Sequence, residues 1–86
     1  MSAVWGFDAR FNALYEANYP AMRDFCLRRL SENDAPDAAA EIWAVAWRRI
    51  EDIPTGTDDA RRWLSGVARN VVAHERRGDA RRHGLA

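Results

Sequence analysis

Apolar residues recur at three- and four-residue spacing in three blocks of this 86-residue chain. Nowhere do they alternate with the period of two that a half-buried strand shows. In the first block Phe7, Phe11, Leu14, Tyr15, Met22, Phe25 and Cys26 share one broad face, with Arg10, Glu16, Arg23, Asp24 and Arg28 mostly on the other side. This predicts a helix from near Asp8, a good N-cap, to about Leu30. Pro20 sits inside it, and its missing N–H predicts a kink or a split. Residues 1–6 are read as a loose end, with Trp5 either docked or exposed.

After a turn at Ser31–Pro36, with Asp34 as N-cap, the second block predicts a helix from about Ala35 to Glu51. Its core stripe is Ala39, Ile42, Trp43, Ala46, Trp47 and Ile50, which assigns both tryptophans to the interior. Asp37, Ala40, Glu41, Ala44, Arg48 and Glu51 face outward. Ala38 to Ala40 form a smooth patch that allows close approach of another helix, or simply serve helix propensity. The loop Asp52–Thr57 carries the breakers Pro54 and Gly56. Thr57 or Asp58 then caps a third helix that runs to about Arg77, where Gly78 can end it, leaving residues 78–86 as a polar tail or the start of a linker. Leu64, Val67, Ala68 and Val71 form the buried stripe of the third helix. Trp63, Gly66, Asn70, His74 and Arg77 fall in line to one side, and Arg62, Arg69 and Arg76 occupy a third sector. The expected fold is all-α, a compact three-helix domain with a long kinked first helix.

Composition sharpens this picture at one point. The formal net charge is zero, but it is unevenly distributed. Residues 1–60 hold six arginines against eleven acids, whereas residues 61–86 hold seven arginines against two. A basic end on a neutral chain points to a local anionic partner. All 13 cations are arginine, whose planar fork suits phosphates and bases. An aromatic, an amide and a row of guanidiniums on one helix fit a nucleic-acid surface, although a core helix with a solvated basic face has the same spacing.

Other chemistries find little support. The sequence has no Gly-rich phosphate loop, no HExxH and no Cys/His metal spacing. His74 and His83 lie on a helix and a tail, and the lone Cys26 between Phe25 and Leu27 reads as a buried thiol. No metal site, no cofactor and no enzymatic activity are expected. The chain also lacks a run of about 18 apolar residues and a signal-peptide pattern, so a cytoplasmic protein without a membrane partner is expected.

Three blocks together resemble region two of the extracytoplasmic-function sigma factors of bacterial RNA polymerase. FNALYEANYPAMRDFCLRRL is similar to the family's opening long helix, including the pair Tyr19 and Pro20. DAAAEIWAVAWRRIEDIP resembles the helix that docks on polymerase, and WLSGVARNVVAHERR resembles the helix that reads the promoter. The resemblance spans roughly residues 7–80 as a single region-two-like domain.

The resemblance implies roles. The second helix would dock on the clamp helices of the largest subunit of the RNA polymerase core. Asp37 and Glu41 match the family's two acids, Ala40 stands where a glutamine is usual, and Ala44 and Arg48 complete the face. The third helix would engage the minus-ten promoter DNA element as single-stranded non-template DNA. Asn70 matches a base-contacting asparagine and Trp63 a stacking tryptophan, with Gly66 and His74 beside them and Arg62, Arg69, Arg76 and Arg77 on phosphates. The loop of Asp52, Ile53, Pro54, Thr55, Gly56 and Thr57 would form, with the start of the third helix, a pocket for a base turned out of the stack. Ser65 falls where the family often has a tyrosine. An anti-sigma factor is a further partner type that the family implies. No counterpart of region four, the helix-turn-helix domain, is present in these residues. The expectation is therefore a domain of a longer sigma factor, or a partial sigma or decoy. The alternative is a small three-helix module that binds only protein. For single residues the plainer alternatives are a core-edge role for Trp63, a solvated Asn70, and acids at Asp37 and Glu41 that merely serve a helix N-terminus.

Overall fold

The computed structural model describes residues 2–82 and 84; it does not describe the side chains of residues 2–8, 79, 80 and 82. Three α-helices and one short 3-10 turn make up the described chain: α1 (Ser2–Arg29), α2 (Ala35–Arg48), the turn at Ile50–Asp52, and α3 (Thr57–Arg82). Each helix packs on both others.

Several boundaries differ from the sequence reading, each for a local reason. Helix α1 begins at Ser2 instead of near Asp8, so residues 2–6 are helical; the side chains of Trp5, Phe7 and Asp8 lie outside the described set. The helix runs through Pro20 without splitting. Pro20 and Glu16 are exposed, so the Glu16 carbonyl that loses its partner lies toward water. The opposite face holds the helix in place, with Met22 and Cys26 buried. Helix α2 stops at Arg48, three residues before Glu51. The Arg49 N–H still donates to the Val45 carbonyl (3.0 Å) in the α pattern, and the chain then tightens as the Asp52 N–H donates to the Arg49 carbonyl (2.9 Å). Asp34 occupies the N-cap position but adopts helical dihedrals and makes no side-chain cap. The Ser31 hydroxyl instead accepts the Asp34 N–H at 3.2 Å. Thr57 is the first residue of α3 and not its cap, since the Ala60 N–H already donates to the Gly56 carbonyl at 2.8 Å. Asp58 and Asp59 lie in the first turn, where acids favour the helix dipole. Helix α3 passes Gly78 and continues to Arg82. A glycine inside a helix costs about 1 kcal/mol and does not by itself terminate one. The positive φ falls at Gly84 (70°), whose N–H donates to the Arg81 carbonyl.

The core is built from small residues and a few large ones. Cys26, Ala38, Ile42, Ala46, Leu64 and Ala68 have no accessible surface. Along α3 the stripe runs through Ala60, Leu64, Val67, Ala68 and Val72, with Val71 only half-buried. On α2, Ala35 and Ala38 are buried where Ala39 was expected, and Ala44 is half-buried. The main correction is Trp47, which is 46% exposed. Phe11 meets it edge-on at 5.3 Å and meets the buried Trp43 at 6.1 Å. The α1–α2 seam is thus an aromatic cluster whose outer members, Tyr15, Tyr19 and Trp47, keep an edge in water. Three side chains bond backbone carbonyls, two of them across distant segments. Asn18, itself buried, donates to the Leu14 carbonyl (3.0 Å) within α1. Arg10 reaches from α1 to the Ile53 carbonyl (3.1 Å), and Arg76 reaches from α3 to the Arg29 carbonyl at the end of α1 (3.3 and 3.4 Å). The last of these satisfies a carbonyl that has no partner within its own helix.

Burial raises the Cys26 pKa from its ordinary 9.0, against a smaller lowering by Arg29. The folded state therefore keeps the thiol proton after the unfolded chain has lost it. The stability linked to this group is constant below that ordinary value and declines as pH rises past it. Cys26→Ala should flatten that alkaline decline in urea unfolding measured across the pH range; an unchanged decline would assign it to other groups. In the same assay Leu64→Ala should cost about 2–5 kcal/mol, and Trp47→Ala distinctly less than a buried tryptophan would.

Candidate functional site

Helix α3 carries its apolar stripe toward α1 and α2, so its remaining arc faces out. At 100° per residue, Gly66 and Ala73 run along the middle of that arc. Arg62 and Arg69 border it on one side, and Trp63, Asn70 and His74 on the other, nearer α2. Arg62, Arg69, Asn70, His74 and Arg77 are exposed, and Trp63, Gly66 and Ala73 are half-buried. The result is a smooth track between guanidiniums and an aromatic–amide edge. A single strand needs both: cations for its phosphates and a flat surface and amide for its bases.

The α2 side of this edge is acidic. Asp37, Glu41 and Val45 of α2 and Asn70, Val71, His74 and Glu75 of α3 line one open groove. The residues predicted to bind polymerase and those predicted to read bases are thus opposite walls of one feature. Asp37, Ala40, Glu41 and Arg48 are exposed, as expected, and Arg48 pairs with Glu41 at 3.2 Å. An exposed pair of this kind is worth little and is easily exchanged for a partner's charges.

The predicted loop is only partly available. Ile53 is buried in the core, which removes it from any exposed recognition surface. Asp52, Thr55, Gly56 and Thr57 are exposed and Pro54 is half-buried. The cavity beside the loop, about 410 Å³, is walled by α1 through Arg10, Ala13, Leu14, Ala17 and Asn18, and by Ile50, Ile53, Pro54, Thr55 and Thr57. Among the described residues only Thr57 contributes from α3, so Asn70 and the loop cavity are separate places.

Two arginines of the predicted phosphate row have partners within the domain. Arg76, which is exposed, bonds the Arg29 carbonyl through Nε and Nη2. Arg62 pairs with Asp59 at 3.1 Å on the surface. The sequence reading missed Arg10 and Arg49. Arg10 bonds a carbonyl 43 positions away, and no local pattern signals that. The guanidinium carbon of Arg49 lies 5.5 Å from the centre of the Trp63 ring, and its Nε lies 3.3 Å from Asp52. Only the Asp52 contact, three residues on, was visible as a spacing. Among the described residues no cluster of three or more His, Cys, Asp or Glu side chains is placed to hold a metal ion. No helix among them is long and apolar enough to cross a membrane.

A methyl group added at Gly66 would meet only the Arg69 Nη2 atom, at an ordinary 3.8 Å. The fold does not require glycine there. Gly66→Ala should therefore stabilise the domain by up to about 1 kcal/mol in urea unfolding; a loss of stability would show that packing demands the glycine.

The family model for Sigma-70 region 2 matches residues 14–82 of the chain. No curated protein and no solved structure matches it.

Proposed function

The chain belongs to the Sigma-70 region 2 family, and we propose that it is the core-docking and promoter-opening domain of an extracytoplasmic-function sigma factor. The family is non-enzymatic and serves transcription initiation by binding RNA polymerase core and engaging the minus-ten promoter element. On this reading Asp37, Ala40, Glu41 and Arg48 form the docking face, and it works in the cytoplasm, where bacterial polymerase is. A basic, helical partner is steered to the acids of α2, and the Glu41–Arg48 pair opens to meet it.

The observation that carries the reading is the groove whose walls bring Asp37 and Glu41 together with Asn70 and His74. A strand along α3 is then held close to the docked polymerase. The acids of the groove repel phosphates, so the backbone of the strand lies toward Arg62 and Arg69 and its bases turn toward Asn70 and Trp63. An amide that bonds a base edge in two places discriminates by about 1–3 kcal/mol, and stacking on an indole adds about as much without regard to sequence. Gly66, which the fold itself does not need, gives the strand its closest approach. The loop contributes through Asp52, Thr55, Gly56 and Thr57 to holding a base turned out of the stack.

Selection of single-stranded DNA from a random library on the domain tests this directly. The wild type should enrich a short motif, Asn70→Ala should relax it at one position, and Trp63→Ala should weaken binding evenly. Gly66→Ala should bind more weakly although it folds more stably. A wild type that enriches nothing, with all variants alike, would favour the protein-only three-helix module.

A further inference from the structure

We propose that Arg49 is a positioning residue of the nucleic-acid face: it holds the Trp63 indole and the Asp52 turn in one arrangement, so that an opened strand meets a preformed stacking surface. The proposal rests on the reading above that Trp63 stacks on bases.

Arg49 follows the last residue of α2, and its backbone leaves the helix (φ −113°, ψ 27°). Its N–H still bonds the Val45 carbonyl at 3.0 Å, so its Cα stays as fixed as the helix end. From there it joins Asp52 twice. The Arg49 carbonyl accepts the Asp52 N–H at 2.9 Å, and the Arg49 Nε donates to Asp52 Oδ2 at 3.3 Å. The guanidinium lies over the Trp63 ring, 5.5 Å from its centre. Among the described residues no other side-chain hydrogen bond or cation–π contact joins the end of α2 to α3. One side chain thus links the end of the docking helix, the loop and the stacking residue.

The chemistry requires arginine. A guanidinium can bond a carboxylate along its edge while its face lies on an indole; an ammonium does one or the other. Neither contact is strong, because the Arg49 side chain is 55% exposed. Their effect lies in fixing a half-buried ring before the strand arrives, which removes an ordering cost from binding. Arg49 also neutralises Asp52 beside the strand's path. Arg48 next to it has a different task, since it turns back to Glu41.

The test is fluorescence anisotropy with a labelled single-stranded oligothymidine, read at several salt concentrations, since stacking is tolerant of sequence. Arg49→Ala should weaken binding roughly two- to five-fold, the scale of an exposed cation–π contact. It should leave the salt slope unchanged and should cost nothing further when Trp63 is already alanine. Arg69→Ala, by contrast, should make the slope shallower by about 0.7, the value for one phosphate on a single strand. Arg49→Lys should recover less than half of the loss. Three results would overturn the proposal: a slope change like that of Arg69→Ala, which makes Arg49 a phosphate contact; an equal loss in the Trp63→Ala background; or no loss from Arg49→Ala while Trp63→Ala binds poorly. If Trp63→Ala itself loses nothing, the stacking reading fails and takes this proposal with it.

Discussion

Ala38, Ala46 and Ala68 have no accessible surface, and a larger side chain at any of them would force the helices apart. The close approach they permit lets Ile42 and Leu64, also fully buried, close the centre of a thin core. The remaining faces of α2 and α3 follow from that contact. With the apolar stripes turned inward, Asp37 and Glu41 come to one wall of a groove and Asn70 and His74 to the other. The groove is thus a by-product of helix packing.

The three helices were legible because each keeps a strong apolar period, and the stripe of α3 was read correctly at Leu64, Val67 and Ala68. The ends were less legible because they depend on contacts remote in sequence. Gly78 looked like a terminator, yet the helix continues to Arg82. Pro20 looked like a break, but the buried face of Met22 and Cys26 holds the helix through it. Trp47 shares the period of the core stripe and lies at its edge, where the aromatic seam with Phe11 opens to water. Periodicity gives a direction on the helix and not the depth of the partner surface.

The same limit divides the site residues. The rows on α3 were visible from spacing, as was the outward face of α2, and the resemblance supplied their roles. That the two faces meet in one groove needed the fold. The uses of Arg76 on the end of α1 and of Arg10 on the loop also needed it, since each bonds a backbone carbonyl more than 40 positions away. Ile53 lay in the expected loop but belongs to the core, so fewer residues of the loop are open to the proposed recognition than its length implies. Charge tells a consistent story. On the proposed reading the acidic wall would invite a basic protein and repel phosphates, and the arginine row beyond the track would attract them, which would sort the two partners to adjacent but distinct surfaces.

The central claim is that the acidic wall on α2 is a docking face for polymerase. Capture of bacterial RNA polymerase core by the immobilised chain, with wild type beside Glu41→Lys, tests it most directly. Glu41 is exposed and its salt bridge is superficial, so the variant should fold normally. The account predicts capture by the wild type and loss of capture by Glu41→Lys. Equal capture by both would contradict it and place the docking face elsewhere on the domain.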